Sequence, residues 1–282
     1  MIDSVELNSS NDFILVVIPM RKASTRLPNK ILTKIDEFTL GQKCYQRACD
    51  IFSQDSNIKI IVAVDNQEIK DSILAVDQNA CVVMTDPLLP SGTDRVFSAY
   101  QWFEKELPQE NKRLAGIINL QGDMPFVASQ GLKKMVNEFR NPKSNVNYIY
   151  TLGEAFDDFT KLTERTVVKV LVNKNSEANY FSRFPIPYSR KEFDDQENSQ
   201  PAVFKHIGVY GYSATAIAEF CAQPPVPAEK AEGLEQLRAL WLGFKIKVLF
   251  TIPGKGESNR GIDSLLDLQW AQKKITESKK NV

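Results

Sequence analysis

Residues 13–19 read Phe-Ile-Leu-Val-Val-Ile-Pro, an apolar run with no polar residue to mark a solvent-facing side. Such a run is typical of a β-strand that is buried on both faces, as strands are in a parallel sheet. Three further runs are mostly apolar, namely Ile58–Val64, Ala80–Met84 and Gly116–Leu120, with Lys59 and Asn119 as their only polar side chains. The segments between them carry apolar residues at spacings of three and four, the pattern of an amphipathic helix. Helices are therefore predicted over Gly41–Phe52, Gln67–Val76 and Thr93–Glu106. Strands that alternate with helices predict an α/β fold with a doubly wound sheet.

The second half of the chain has a less regular pattern, which predicts a mixed sheet. Its strand-like segments are Asn147–Leu152, Val167–Val172, His206–Tyr212 and Lys245–Phe250. Its helical segments are Ala231–Leu242 and Leu265–Lys274. Charged and polar residues dominate between Pro185 and Pro201, which predicts an exposed excursion from the fold rather than a linker between domains.

The composition is that of a globular protein of enzyme size. Of the 282 residues 43% are hydrophobic, and 35 basic residues balance 35 acidic ones. This balance provides no bulk attraction to nucleic acid or to an anionic membrane, so neither partner is expected. No signal peptide or membrane span is evident, and the four cysteines form no Cys-x-x-Cys pair, which predicts reduced thiols in a cytoplasmic protein.

A basic loop follows the first strand. Residues 21–30 read Arg-Lys-Ala-Ser-Thr-Arg-Leu-Pro-Asn-Lys, with four cations and two hydroxyls. Ligands of parallel sheets bind at the carboxyl ends of the strands, and arginine and lysine match the oxygens of phosphates. The loop is therefore a candidate polyphosphate site, although a solvated basic turn has the same composition.

Two other strand ends carry candidate residues. Ser91 and Thr93 follow the third strand, where they suit either a plain helix cap or a helix start that faces a ligand. Asp123 follows Gly122 after the fourth strand, which suits either magnesium beside phosphates or an Asx turn. Asp263 opens the last predicted helix, where capping and metal binding compete. Magnesium often takes only one or two protein carboxylates, so Asp123 and Asp263 suffice.

The single histidine, His206, lies in a strand-like segment, where a structural role is the ordinary one. A single histidine excludes a multi-histidine metal site. A Ser-His-Asp hydrolase is disfavoured because the chain has no Gly-x-Ser-x-Gly motif.

Taken in order, these segments resemble the motifs of the 3-deoxy-manno-octulosonate (Kdo) cytidylyltransferases, also called CMP-Kdo synthetases. The family motifs read I-P-A-R-x-x-S-T-R-L-P-G-K, S-G-T-D-R, Q-G-D-E-P, Y-F-S-R-x-x-I-P, K-H-I-G-I-Y-G-Y, L-E-Q-L-R and G-V-D-T-P-E-D-L. The matching segments here are Ile18–Lys30, Ser91–Arg95, Gln121–Pro125, Tyr180–Pro187, Lys205–Tyr212, Leu234–Arg238 and Gly261–Leu268. Seven motifs in one order, from about Phe13 to the end of the chain, make the resemblance specific.

The resemblance implies a three-layer, Rossmann-like nucleotide-diphosphosugar transferase fold with a mixed, mainly parallel sheet and a small dimerisation subdomain. It implies one domain over residues 13–282, with a sugar-binding and dimerisation part at about 145–230, after an N-terminal extension at 1–12. The implied reaction transfers CMP from CTP to the anomeric hydroxyl of Kdo, with magnesium as cofactor and pyrophosphate as second product, for lipopolysaccharide biosynthesis. A homodimer is implied as well.

The resemblance also implies roles for residues at the motif positions. The implied nucleotide-binding residues are Arg21, Ser24, Arg26, Lys30, Ser91, Gly92 and Arg95. The implied sugar-binding residues are Gln121, Arg183, His206, Tyr210, Glu235 and Gln236. Asp123 and Asp263 are the implied metal ligands, and with Arg21 and Lys30 they form the implied catalytic set.

Several positions depart from the family pattern. Met20 stands in place of alanine, Asn29 of glycine, Met124 of glutamate, and Leu265-Leu266 of Pro-Glu. Loss of the glutamate beside Asp123 leaves two alternative acceptors open, namely 8-amino-3,8-dideoxy-octulosonate or another 2-keto-3-deoxy acid sugar. An alternative of another class is a non-catalytic nucleotide-binding regulatory protein, against which the retained aspartates argue.

Overall fold

The computed structural model describes residues 12–24, 26–106, 112–141, 148–188 and 202–280. The chain divides into two compact units. Unit 1 comprises residues 1–129, 136–144 and 253–282, and unit 2 comprises residues 130–135 and 145–252. Residues 1–11 of the predicted N-terminal extension and residues 189–201 of the predicted excursion lie outside the described residues. The expected single domain with a part at about 145–230 stays a prediction.

Unit 1 contains a parallel sheet in the strand order β3-β2-β1-β4. Its strands are β1 (Asp12–Met20), β2 (Ile58–Val64), β3 (Cys81–Met84) and β4 (Arg113–Asn119). Its helices are α1 (Leu40–Phe52), α2 (Gln67–Leu74), α3 (Gly92–Glu106) and α8 (Leu265–Lys280), while α4 (Ser129–Arg140) has residues in both units. All four predicted strands and the first three predicted helices are confirmed.

The core of unit 1 forms around β1. Side chains from Ile14 to Ile18 are fully buried, and Val16 lies opposite Ile60 of β2 and Ile118 of β4. Burial of each such aliphatic side chain contributes about 1.5–3 kcal/mol. Because the four strands are parallel, their carboxyl ends meet at one edge of the sheet.

Unit 2 contains a mixed set of strands, as the sequence predicted. They are β5 (Tyr148–Glu154), β6 (Lys169–Val172), β7 (Ala178–Ser182), β8 (Val203–Tyr212) and β9 (Lys245–Phe250). Strand β5 pairs with β8 antiparallel and with β9 parallel, whereas β6 pairs antiparallel with both β7 and β8. The helices of this unit are α5 (Ala214–Cys221), α6 (Pro227–Glu232) and α7 (Gln236–Trp241).

The single helix predicted over Ala231–Leu242 is wrong. Helix α6 ends at Glu232 because Gly233 adopts a left-handed conformation with φ of 63°, and α7 begins only at Gln236. Glycine after the last helical residue is a common helix stop, since it has no Cβ to oppose positive φ. The sequence analysis did not predict α4, α5 or β7.

The structure also bears on the state of the cysteines and on membrane spans. All four cysteines are free thiols, as predicted. Among the described residues, no helix combines the length and the apolar character that a membrane span requires.

Candidate active site

In unit 1 a lysine lies between two carboxylates. The Lys30 ammonium Nζ is 2.6 Å from Asp123 Oδ2 and 2.8 Å from Asp263 Oδ1. Lys30 starts a short 3-10 helix after the basic loop, Asp123 follows β4, and Asp263 precedes α8. Arg26 adds a second cation, with its Nη2 at 3.1 Å from Asp263 Oδ2. Sequence positions 26, 30, 123 and 263 thus converge on one cluster.

Local backbone features bring these residues together. Asn29 adopts a left-handed conformation with φ of 53°, which positions Lys30 at the start of its 3-10 helix. Asparagine tolerates this conformation better than most residues, so it replaces the glycine of the family motif without loss of the turn. A Cβ on Gly122 would lie 2.8 Å from the carbonyl oxygen of Pro19, so only glycine allows this loop to approach β1. The backbone N–H of Ile262 donates to the carbonyl of Asp123 at 2.9 Å, which places Asp263 beside Asp123.

The expectation that Asp263 opens the last helix is wrong. Helix α8 is capped by Ser264, whose Oγ accepts from the backbone N–H of Asp267 and donates to its carboxylate. Asp267 Oδ2 also accepts from the backbone N–H of Asp263 at 3.1 Å. Burial acts to raise the pKa of Asp267, but the hydrogen bonds from Ser264 and Arg260 outweigh it and lower the pKa. The carboxylate of Asp263 is thus released from capping and faces Lys30 and Arg26.

The charges of the cluster compensate each other. Burial acts to lower the pKa of Lys30, but the carboxylates of Asp123 and Asp263 outweigh it and raise the pKa above its usual value. The lysine therefore stays protonated at neutral pH. Its side chain is 12% exposed and that of Asp123 is 22% exposed, so solvent screens this pair less than a surface pair.

The donor set fits a small divalent cation. Two carboxylates converge on one cationic nitrogen, and Mg²⁺ is often held by one or two carboxylates while water and phosphate oxygens complete its octahedron. Among the described residues, no group of three or more His, Cys, Asp or Glu side chains that could hold a metal ion is found. Asp123 and Asp263 are thus the candidate metal ligands of unit 1.

A second cluster lies at the ends of β1, β2 and β3. Arg95 donates from Nη1 to Thr85 Oγ1 and from Nη2 to Asp65 Oδ2, the latter at 3.2 Å. Asp65 Oδ1 accepts from the backbone N–H of Lys22 at 2.9 Å. The sequence analysis missed Asp65, although an aspartate shortly after a buried strand was the signal that identified Asp123.

The other predicted nucleotide-binding residues lie near these clusters in sequence. Arg21 is exposed and Ser24 is half-buried. Ser91 caps α3, since its Oγ accepts from the backbone N–H of Asp94 at 3.1 Å and donates to its carboxylate at 2.6 Å. Gly92 is the first residue of that helix. The direct nucleotide contacts of these four residues stay a prediction.

Of the predicted sugar-binding residues, Gln121 belongs to unit 1 and donates to Asn119 Oδ1 at 3.2 Å. The other five belong to unit 2: Arg183, His206, Tyr210, Glu235 and Gln236. Their role beside Gln121 stays a prediction.

Within unit 2, Arg183 is held by backbone carbonyls. Its Nε donates to Glu232 O at 2.8 Å and its Nη1 to Arg165 O at 3.3 Å. The Glu232 carboxylate accepts from the backbone N–H of Arg183 and from Ser182 Oγ. These contacts fix the plane of the guanidinium.

His206 is neutral and packed among aromatic rings. Its Nε2 is 3.0 Å from Thr151 Oγ1, which itself donates to Val209 O at 2.9 Å. The direction of this bond depends on the imidazole tautomer. Burial lowers the pKa of His206 to about 3 and also raises the pKa of Tyr210, whose ring centroid is 5.5 Å away. His206 therefore carries no charge at neutral pH.

Comparison with known proteins shows agreement along most of the chain. The family model described as Cytidylyltransferase matches residues 15–246. A 3-deoxy-manno-octulosonate cytidylyltransferase of Bdellovibrio bacteriovorus is 36% identical over 93% of this chain and 98% of its own length. A protein of the same name from Cytophaga hutchinsonii is 37% identical over 86% of this chain and 91% of its own.

Among solved structures, a CMP:2-keto-3-deoxy-manno-octonic acid synthetase complexed with CTP matches with a TM-score of 0.77 and 28% identity. The match covers 94% of this chain and 99% of that one. The predicted α/β fold with a mixed, mainly parallel sheet is thereby confirmed.

Proposed function

This chain belongs to the cytidylyltransferase family, and from that premise we propose that it transfers CMP from CTP to the anomeric hydroxyl of 3-deoxy-manno-octulosonate. The products are CMP-Kdo and pyrophosphate, and the reaction serves lipopolysaccharide biosynthesis. The observation that carries the proposal is the cluster of Lys30 between Asp123 and Asp263, which provides cationic and metal-binding groups together at the carboxyl edge of a parallel sheet. Relatives that carry this enzyme's name over most of their length support the choice of acceptor.

The chemical step needs no covalent intermediate with the protein. The anomeric oxygen of the sugar forms a bond to the α-phosphorus of CTP, the bond from that phosphorus to the bridging oxygen breaks, and pyrophosphate leaves. The hydroxyl proton passes to solvent. Catalysis consists of alignment of the two reactants and neutralisation of the developing charge.

Asp123 and Asp263 would hold the magnesium ion, which supplies charge neutralisation and a lower pKa for the attacking hydroxyl. Lys30 and Arg26 already lie against these carboxylates, so their cationic ends are positioned beside the metal ligands. Arg21 and Ser24 belong to the same loop. We assign these four residues to the phosphates of CTP, where Lys30 and Arg21 stabilise the leaving pyrophosphate.

Unit 2 carries the groups that suit an acid sugar. The immobilised guanidinium of Arg183 matches a carboxylate. Gln236 is 6% exposed, and its Nε2 is buried without a hydrogen-bond partner among the described residues. Buried donors are nearly always paired, so a ligand hydroxyl is a natural partner for this nitrogen. Neutral His206 contributes a hydrogen-bonding group without a charge.

The protein is further proposed to act in the cytoplasm as a homodimer. Among the described residues of unit 2, four large aromatic side chains are exposed: Tyr180 at 40%, Phe184 at 68%, Tyr188 at 90% and Trp241 at 69%. Exposed large apolar groups are frequent at protein interfaces. They support an interface formed by unit 2.

Replacement of the metal ligands tests the proposed function. Asp123→Asn and Asp263→Asn keep the side-chain shape but remove a negative charge, so turnover is expected to fall by about 100-fold or more. Asp157→Asn, a matched change at an exposed carboxylate of unit 2 paired with Lys161, is the control. Full activity of either metal-ligand variant would exclude the assigned chemistry.

A further inference from the structure

Asp65, a residue outside every motif of the sequence analysis, binds the backbone of the loop assigned above to the triphosphate. Asp65 follows β2 directly. Its Oδ1 accepts from the backbone N–H of Lys22 at 2.9 Å. Lys22 lies between Arg21 and Ser24, so this bond fixes the main chain near the start of the loop.

Arg95 holds the other oxygen of the same carboxylate. The distance from Arg95 Nη2 to Asp65 Oδ2 is 3.2 Å, and the two side chains are 3% and 7% exposed. Arg95 Nη1 donates to Thr85 Oγ1, which in turn donates to the carbonyl of β2 at Val64. A buried pair of this kind is costly to break, since either partner alone would leave a charge without compensation.

Charge compensation within this cluster extends to the loop. Burial lowers the pKa of Arg95, the carboxylate of Asp65 acts to raise it, and the guanidinium of Arg21 lowers it further. The two guanidinium groups are therefore close enough to repel each other. Asp65 opposes both effects and so favours the charged form of the buried arginine.

We infer that Asp65 and Arg95 are positioning residues for CTP binding. Arg95 orients the carboxylate of Asp65, and Asp65 fixes the backbone at Lys22 so that Arg21 and Ser24 meet the phosphates. The inference rests on the proposed function, because it requires the basic loop to bind a triphosphate. It gives Arg95 a role through Asp65 in place of the direct nucleotide contact that the resemblance implies.

Two variants of Asp65 separate its two bonds. Asp65→Asn keeps an oxygen for the Lys22 N–H but loses the charge opposite Arg95, whereas Asp65→Ala loses both. Misplacement of a substrate-binding group by about 1 Å costs up to roughly 100-fold. We expect Asp65→Ala to raise the Kd and the KM for CTP by about 10- to 100-fold, with a smaller effect of Asp65→Asn and an unchanged KM for the acid sugar.

Asp36 offers a matched control within unit 1. Its Oδ1 accepts from the backbone N–H of Phe38 at 2.9 Å, and its Oδ2 lies 2.9 Å from Lys43 Nζ. Its side chain is 8% exposed, close to that of Asp65. Asp36→Asn should therefore lower the urea midpoint as Asp65→Asn does, but leave the Kd for CTP unchanged.

The measurements are calorimetric titration with CTP in the absence of sugar, steady-state KM values for both substrates, and urea unfolding. Loss of stability in the Asp65 variants without a change in CTP affinity would show a merely structural role and overturn the inference. A further loss of CTP affinity when Arg95→Gln is added to Asp65→Ala would show a direct contact of Arg95 and overturn its assignment. Failure of the unaltered protein to bind CTP would overturn the proposed function and this inference with it.

Discussion

Lys30 carries one positive charge into a gap between two carboxylates, where a divalent cation would carry two. The ammonium and a metal ion would compete for the same oxygens of Asp123 and Asp263. Lys30 holds the two carboxylates together here. Under the proposed function, a magnesium ion on Asp123 and Asp263 would displace the ammonium, which would then be available to the phosphates of CTP.

A single substitution tests this competition at the residue scale. Lys30→Met removes the charge but keeps most of the side-chain volume, so Mn²⁺ is expected to bind about tenfold or more tightly without nucleotide, since nearby unit charges interact by about 1–4 kcal/mol. Turnover should fall, because the phosphates lose a cation. Electron paramagnetic resonance of free Mn²⁺ measures the affinity. Lys279→Met, at a 61% exposed lysine paired with Glu37, is the control, and equal Mn²⁺ affinity in Lys30→Met and the unaltered protein would refute the competition.

His206 predicts a pH dependence of stability. Its pKa is about 3 in the folded protein against 6.5 ordinarily, because burial disfavours the charged form. Between these values the unfolded chain binds more protons than the folded one, so stability rises with pH and is lost on acidification from about pH 6.5 toward 3. The slope from one such group is up to about 1.4 kcal/mol per pH unit.

His206→Gln removes this titration and should flatten the dependence. Urea unfolding at pH 7 and pH 5 provides the free energies, and the difference between the two should be smaller in the variant. Equal differences in both proteins would mean that His206 is not buried in its neutral form.

At the scale of elements, the cap of α8 connects helix stability to the candidate metal ligands. The carboxylate of Asp267 accepts from Ser264 and also from the backbone N–H of Asp263. Ser264→Ala should cost about 1 kcal/mol of unfolding free energy, as loss of an N-cap does, and should also weaken Mn²⁺ binding. Thr39→Ala removes the equivalent cap of α1 and should cost a similar free energy without an effect on Mn²⁺. Identical Mn²⁺ affinities of the two variants would show that the cap of α8 does not influence metal binding.

The strands of unit 1 were predictable because each contains a mostly apolar run, which in β1 is buried along nearly its whole length. Strand β7 was not, because its consecutive exposed residues Asn179 and Tyr180 break both the apolar run and the alternation.

Among the site residues, the position after a strand end identified Asp123 from the sequence. Nothing local marks Asp263 as its neighbour, because the backbone bond from Ile262 to Asp123 joins segments about 140 residues apart. The pairing was indicated by the number of carboxylates that magnesium takes and by the family motif. Asp65 was missed because an Asp-Asn pair before a helix reads as a turn and cap.

For the whole molecule, the predicted roles divide between the two units. The candidate metal and phosphate groups lie in unit 1, and most of the groups assigned to the acid sugar lie in unit 2. This division predicts that substitutions in unit 1 act mainly on CTP and metal affinity, while those at Arg183 or Gln236 act mainly on the KM for the sugar.

The proposed homodimer is a property of the whole molecule and can be tested by a substitution at the exposed surface of unit 2. Trp241→Glu introduces a charge on an exposed aromatic of α7 and is expected to weaken a homodimer by about tenfold or more, since exposed tryptophans are frequent hot spots. Sedimentation velocity over a concentration series measures the dissociation. Trp102→Glu, on α3 of unit 1, is the matched control and should leave assembly unchanged. A monomeric unaltered protein would contradict the proposed dimer.

The most direct test of the central claim is pyrophosphate release by the purified protein with CTP and magnesium, with 3-deoxy-manno-octulosonate, its 8-amino-3,8-dideoxy analogue and neuraminate assayed in parallel. We predict release that requires CTP and is fastest with 3-deoxy-manno-octulosonate. Faster release with the 8-amino analogue would identify that sugar as the preferred acceptor and leave the proposed reaction unchanged. Absence of release with every sugar would contradict the account and indicate a non-catalytic nucleotide-binding protein.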